Sequence, residues 1–103
     1  MKSTHFIQLL LNCSRNQAQA LLETASKEQV HTISLLIFNL TKNLNSITAK
    51  TKALLRKHKK IINKLCDKKL AEKSKYSIIR KHWADVYNLL ISAKNVLSSA
   101  LTQ

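Results

Sequence analysis

Basic side chains concentrate in the middle of this sequence, where they could bind a polyanion. Residues 42–81 hold fourteen of the eighteen Lys and Arg residues and only two acidic residues, Asp67 and Glu72, which gives this segment a formal charge of +12. Residues 1–41 and 82–103 are close to neutral. Surfaces that serve only solubility mix both signs, and like charges packed together repel one another. We therefore expect a negatively charged partner.

The type of cation indicates how such a partner would be bound. Fifteen of the eighteen basic residues are Lys and three are Arg. Arg binds bases and phosphates through a two-pronged fork, whereas Lys acts as a mobile point charge. The composition therefore favours neutralisation of nucleic-acid phosphates without base readout. The candidate contact residues are Lys50, Lys52, Arg56, Lys57, Lys59, Lys60, Lys64, Lys68, Lys73, Lys75, Arg80 and Lys81.

Aromatic residues are too few for a base-stacking surface. Phe6 and Phe38 fit a core, and Tyr76, which stands among basic residues, is a candidate contact for a base or ribose. Two other interpretations of the basic segment stay open. It could be a solvated or acidic-protein-facing surface, or it could bind an anionic membrane, which is the weaker alternative.

Side chains suited to catalysis or metal binding are scattered along the chain. The five acidic residues stand singly, and the four His residues lack the H-x-x-x-H and H-E-x-x-H spacings of zinc sites. General acid–base catalysis needs such groups to converge. We therefore expect a non-enzymatic protein with neither a cofactor nor a bound metal ion.

The two cysteines and the hydropathy pattern bear on location. Cys13 and Cys66 form no C-x-x-C pair, so reduced thiols are expected, with a single disulfide as the alternative. No stretch approaches the roughly 18 apolar residues of a membrane span, and the N-terminal residues do not form a signal sequence. We expect an intracellular protein that is not secreted and has no transmembrane segment.

Helices must position the basic side chains, because the sequence contains no Gly and no Pro. Tight β-turns and phosphate-binding loops depend on those residues. A chain of 103 residues is long enough to form one core. We therefore predict an all-α fold, a single compact bundle of four to five helices over residues 1–103 with no β-sheet.

Apolar helices are predicted over residues 4–43. Capping boxes place helix starts after Ser14 and after Ser26, because a Gln stands at the third helical position in both cases. The last of these helices has the broadest apolar face, so we expect it to be the most buried. The three predicted helices span residues 4–12, 15–24 and 27–43.

A basic helix is predicted at about residues 47–66. Over residues 54–65 the apolar side chains fall on one arc of the helical wheel and the cations on the other. The apolar arc would dock on the core and point the charges outward. Because Lys69 would rotate onto the apolar arc, we expect a break between Asp67 and Ser74.

The C-terminal segment predicts one amphipathic helix over about residues 75–101. Its apolar residues recur at alternating spacings of four and three, which is typical of a helix that packs along another. The natural partner is the helix at 27–43, and a second copy of the chain, a capsid protein or a lipid surface are alternatives. In the case of a protein partner, the contact residues would be Ile79, Trp83, Val86, Leu90 and Leu97.

Two sets of residues carry a resemblance to a known family. The first lies in "LLETASKEQVHTISLLIFNLTKN" and the second in "ALLRKHKKIINKLCDKKLAEKSKYSIIRKHW". The matching residues are Ala25, Ser26, Gln29, Val30, Ile33 and Ser34 in the first, and Leu55, His58, Lys59, Lys60, Ile61, Leu65, Lys68 and Lys69 in the second. Over about residues 21–82 the sequence resembles a small basic protein of Polinton/Maverick-type elements and the related adintoviruses.

The resemblance implies a virion-associated or core protein, a role consistent with DNA binding without sequence preference, and RNA stays the less favoured alternative. It also implies a nuclear or virion location, with a homo-oligomer or a capsid protein as further partners. The chain departs from the family pattern in two places. Residues 42–47 replace a Gly-Asn-Ile-Pro turn, and a Gly-free amphipathic segment replaces a Gly-rich tail.

Overall fold

Short helices make up most of the chain. The computed structural model describes the backbone of residues 4–101 and the side chains of residues 5–98, so residues 1–3 and 102–103 of the predicted domain lie outside it. No strand occurs in the described range, and the prediction of an all-α fold is confirmed. The predicted four to five helices are too few. The helices are α1 (Thr4–Asn12), α2 (Arg15–Glu23), α3 (Lys27–Lys42), α4 (Ala49–Lys57), α5 (Lys59–Leu65), α6 (Glu72–Lys81), α7 (Trp83–Ser92) and α8 (Lys94–Leu101), and a 3-10 turn covers Leu44–Ser46.

The two predicted capping boxes define the starts of α2 and α3. The amide of Gln17 donates to the Ser14 hydroxyl at 3.2 Å, and the Gln17 side chain accepts from the Ser14 amide at 3.1 Å. Ser26 and Gln29 form the same pair of bonds, at 3.2 and 2.8 Å. These bonds satisfy amides that a helix start otherwise leaves without a partner. Both predicted capping boxes are thus confirmed.

The single basic helix predicted at about 47–66 is wrong, because His58 divides it into α4 and α5. His58 has φ −105° and ψ 25°, away from the helical ψ of about −42°. Its amide still donates to the Leu54 carbonyl at 3.0 Å, and its carbonyl accepts from the Ile62 amide at 3.0 Å. The joint lets the two halves follow different neighbours: α4 packs on α7, whereas α5 packs on α3 and α6.

The single C-terminal helix predicted at about 75–101 is wrong for the same reason. It is divided at His82 (φ −111°, ψ 30°) and at Ala93 (φ −108°, ψ 18°), and its first part begins earlier, at Glu72. The three pieces meet different parts of the core, since α6 packs on α2, α3 and α5, α7 on α2 and α4, and α8 on α1. The predicted break between Asp67 and Ser74 is confirmed by the turn that separates α5 from α6.

The helices enclose one apolar core within a body of 32 × 26 × 25 Å. Helix α3 supplies the largest set of buried apolar side chains, as predicted: Val30, Ile33, Leu36, Ile37 and Leu40. Leu35 and Phe38 of the same helix remain 41% and 38% exposed. No helix in residues 4–101 has both the length and the apolar character needed to cross a membrane.

One fully buried hydroxyl links α4 to the end of α7. Thr51 Oγ1 lies 3.1 Å from the carbonyl oxygen of Ser92 and 3.0 Å from Ser92 Oγ, which itself donates to the Leu89 carbonyl at 2.7 Å. The carbonyl of Ser92 belongs to the last turn of α7, where helical partners run out. This contact therefore satisfies buried polar groups and fixes where the basic helix α4 meets the core.

We expect Thr51→Val to lower the free energy of unfolding by about 1–2 kcal/mol, because a methyl group replaces the buried hydroxyl while the shape is nearly kept. Urea unfolding followed by circular dichroism measures this change. Thr41→Val is the matched control, since the Thr41 hydroxyl donates at 2.6 Å to Phe38 within its own helix. The control should change stability by less than about 0.5 kcal/mol. Equal losses in both variants would contradict the role assigned to Thr51.

Candidate nucleic-acid interface

Helices α4, α5 and α6 hold their cations at the surface because each buries a narrow stripe of other side chains. Helix α4 buries Thr51 and Leu55, α5 buries Ile62 and Leu65, and α6 buries Ile79. The remaining positions of these helices are mostly basic or polar. Helix α5 contacts both α4 and α6, so the exposed cations of the three helices stand on neighbouring elements.

Eleven of the twelve predicted contact residues lie on α4, α5 and α6, and Lys68 lies in the turn between α5 and α6; we call the exposed side of these segments the basic surface. Lys52 and Lys75 are half-buried. The ten exposed members are Lys50, Arg56, Lys57, Lys59, Lys60, Lys64, Lys68, Lys73, Arg80 and Lys81. The structure thus places ten of the twelve side chains where a large partner could reach them.

Lys69 belongs to the same surface, although it was not among the predicted contact residues. It is exposed, because the chain leaves its helical path before reaching it. The carboxylate of Asp67 accepts a hydrogen bond from the Lys69 amide at 2.9 Å. Asp side chains commonly stabilise turns in this way. An Asx turn at Asp67 is the sequence signal that could have placed Lys69 outward.

Carboxylates do little to neutralise this surface. Among the described side chains, Glu72 lies 3.2 Å from the Lys27 ammonium, and Asp85 lies 3.8 Å from ring nitrogens of both His58 and His82. None of the twelve predicted contact residues takes part in an ion pair within the described part of the chain. The positive charges of α4, α5 and α6 therefore repel one another without internal compensation.

His58, His82 and Asp85 form a small group of titratable side chains beside the basic surface. The two histidines are the joints of α4–α5 and α6–α7, and Asp85 stands in the first turn of α7. The distances of 3.8 Å exceed hydrogen-bond length, so the carboxylate and the rings are close neighbours without a hydrogen bond between them. The carboxylate connects the two joints and also favours the helix start. In residues 4–101 no three His, Cys, Asp or Glu side chains are arranged to hold a metal ion.

Aromatic ring faces near the basic residues are covered by cations. The Arg80 guanidinium lies 5.3 Å from the ring centre of Tyr76, the predicted base or ribose contact. The Lys42 ammonium lies 5.2 Å from the ring centre of Phe38. Both distances are within the range of cation–π attraction. A base that stacked on these same faces would have to displace the cations, which favours phosphate contacts over base stacking.

The apolar stripe predicted as an alternative partner-binding surface packs within the chain. It consists of Ile79, Trp83, Val86, Leu90 and Leu97. Four of these side chains are buried, and Trp83 is half-buried with the Arg15 guanidinium 5.1 Å from its ring centre. The expectation that this stripe offers a surface to an external protein is therefore corrected: helices of the same chain, chiefly α2, α3 and α4, already cover it.

A half-buried thiol lies where α5 ends, next to the basic surface. Burial raises the pKa of the Cys66 thiol above its ordinary value, and the Lys75 ammonium lowers that pKa by a smaller amount. Thiolate is the reactive form of cysteine, so a raised pKa slows alkylation at neutral pH. The other cysteine, Cys13, lies between α1 and α2, and its backbone carbonyl accepts a hydrogen bond from the Tyr87 hydroxyl.

We expect Lys75→Gln to slow alkylation of Cys66, because loss of the ammonium removes the charge that favours the thiolate and so raises the pKa further. In both proteins the rate should climb as the pH rises through the raised pKa. Iodoacetamide labelling followed by peptide mass spectrometry measures both cysteines in one sample. Cys13 is the internal control and should keep its rate. Faster labelling of Cys66 in the variant would contradict the influence of Lys75.

Comparison with known proteins adds no relative to this description. No protein-family model, no curated protein and no solved structure matches the chain. The interface is therefore characterised by its own residues.

Proposed function

We propose that this chain is a non-enzymatic protein that coats or condenses nucleic acid without reading its base sequence. The observation that carries the proposal is the basic surface of α4, α5 and α6, with ten exposed predicted cations and no ion pair to a described carboxylate. A polyanion would relieve the repulsion among these charges and release its own counterions. The partner class with the highest density of regularly spaced negative charge is nucleic acid.

The chemistry of the surface supports phosphate contact over base readout. Lys dominates it, and Lys offers a flexible point charge without the fixed fork that reads a guanine edge. The half-buried Tyr76 already carries Arg80 on its ring. We propose DNA over RNA as the natural ligand, and a nuclear or virion setting, because the resemblance to Polinton/Maverick and adintovirus proteins supports both. That relationship stays a prediction.

The alternative function is that of a structural or assembly protein, and the surface predicted for it was the apolar stripe of the C-terminal segment. The C-terminal stripe is covered within the chain. Self-association on DNA or contact with a capsid protein would therefore use other residues. Membrane binding through the same stripe is disfavoured for the same reason.

Salt dependence tests the proposal directly. If about 6 to 8 phosphates are contacted, the logarithm of the affinity for duplex DNA should fall against the logarithm of salt concentration with a slope of roughly −5 to −7. Lys59→Gln/Lys60→Gln, which removes two exposed cations of α5, should make that slope shallower by about 2. Fluorescence anisotropy with a labelled duplex across a salt series measures the slopes.

The control for net charge is Lys42→Gln/Lys94→Gln, which removes two cations outside the basic surface that form no ion pair with a described carboxylate. It should leave the slope nearly unchanged. Equal effects of the two double variants would mean that overall charge, and not this surface, governs binding. Absence of binding at low salt would overturn the proposal altogether.

The size of the molecule predicts the length of DNA that it occupies. Its longest dimension of 32 Å corresponds to about nine base pairs at 3.4 Å each. Titration of a long duplex at low salt, under conditions of tight binding, should therefore saturate at about one chain per nine base pairs. Saturation at about twice that density would contradict binding as a side-by-side monomer and support the assembly alternative, because only one chain of each pair would then contact the DNA.

A further inference from the structure

A groove separates α3 from the segment that joins α5 to α6. It has a volume of about 420 Å³, within the range of small-molecule pockets. We call it the α3 groove, since one wall is formed by α3 and the other by residues 65–76. Its walls are mainly apolar, and the principal apolar side chains are Val30, Leu35, Phe38, Leu65, Leu70 and Tyr76.

Apolar side chains in this groove are exposed to water, which costs free energy that an apolar ligand would recover by covering them. Leu35 and Phe38 are 41% and 38% exposed, although their helix is otherwise the main contributor to the core. The hydroxyl of Ser34, which also lines the groove, donates to the Val30 carbonyl at 3.0 Å and is thus used within the helix. His31 and Tyr76 add polar atoms to the lining, but most of the lining side chains between the charged residues are apolar and suit hydrocarbon.

The charged side chains of the groove are predominantly basic. Lys68 is exposed and Lys75 half-buried. The ammonium of Lys27 lies 3.2 Å from the carboxylate of Glu72, so these two groove residues offset each other. Lys68 and Lys75 thus leave a net positive charge on the 65–76 wall, and Lys42 adds a further cation over Phe38.

We propose that the α3 groove binds a long-chain carboxylate, with the hydrocarbon chain along the apolar walls and the carboxylate at Lys68 and Lys75. The volume suits one such chain, and each methylene removed from water favours binding by about 0.8 kcal/mol. An ammonium beside an apolar wall gives the carboxylate a charge-assisted partner. The site shares Lys68 and Lys75 with the predicted phosphate contacts, but it also needs the apolar walls of the groove and does not need the outward cations of α5.

Cys66 provides a built-in probe, because its thiol lines the groove whereas Cys13 does not. Laurate at concentrations below micelle formation should slow iodoacetamide labelling of Cys66 in the full chain, without nucleic acid present, and leave Cys13 unchanged. Octanoate should protect more weakly than laurate, since it buries less hydrocarbon. Dodecyltrimethylammonium has the same chain length and the opposite charge, so it should protect at least about tenfold less well.

Three variants separate the groove from the basic surface. Lys68→Gln/Lys75→Gln should raise the laurate concentration for half-protection about tenfold, whereas Lys59→Gln/Lys60→Gln should leave it unchanged. Leu35→Glu places a carboxylate at an exposed wall position and should abolish protection. Circular dichroism confirms that each variant is folded. The protection is compared with and without laurate within each variant, so a changed intrinsic reactivity of Cys66 cancels.

Several outcomes would overturn the proposal. Equal protection of Cys66 and Cys13 would indicate general detergent binding, and equal protection by the cationic amphiphile would remove the role of the lysines. Protection by a short single-stranded oligonucleotide but not by laurate would assign the groove to a nucleobase. None of these results depends on whether duplex DNA binds the basic surface, so the two proposals fail independently.

Discussion

The burial of one apolar stripe on each of α4, α5 and α6 is the interaction on which the basic surface depends. These helices are only seven to ten residues long, and isolated helices of that length are unstable in water. Each carries cations that repel those of its neighbours. Leu55, Ile62, Leu65 and Ile79 hold the helices in place, since each such side chain contributes about 1.5–3 kcal/mol when fully buried. Burial of these apolar side chains in the core thus offsets the repulsion among the surface cations.

The joints at His58, His82 and Ala93 allow this burial to be complete. A long straight helix would pack its apolar stripe along one neighbour. In this small protein the successive short helices pack on different neighbours after two or three turns. At each joint the backbone leaves helical φ and ψ values, while backbone hydrogen bonds continue on both sides of it. Asp85 then lies 3.8 Å from both histidine joints. The basic side chains of these short helices are therefore distributed over the surface of a compact body.

The features that could be predicted correctly from the sequence are those that depend on residues close together in the chain. The starts of α2 and α3 follow from Ser and Gln at fixed spacing, and the inward and outward sides of α4 and α5 follow from helical periodicity. The joints carry no such signal, since none is Gly or Pro, and they arise from contacts between segments distant in sequence. The α3 groove is equally non-local, because Phe38 and Leu70 are brought together only by the fold. Periodicity alone also could not decide that Leu35 would remain exposed.

The two proposed sites share Lys68 and Lys75, and this overlap has a thermodynamic consequence. A carboxylate seated at these lysines offsets one unit of their positive charge and occupies two of the side chains assigned to phosphate contact. Its binding would therefore lower the affinity for nucleic acid, and reciprocity requires that nucleic acid lower the affinity for the carboxylate by the same factor. The coupling is limited, because the exposed cations of α4 and α5 remain free for phosphates in either state. The groove would thus modulate nucleic-acid binding and leave most of it in place.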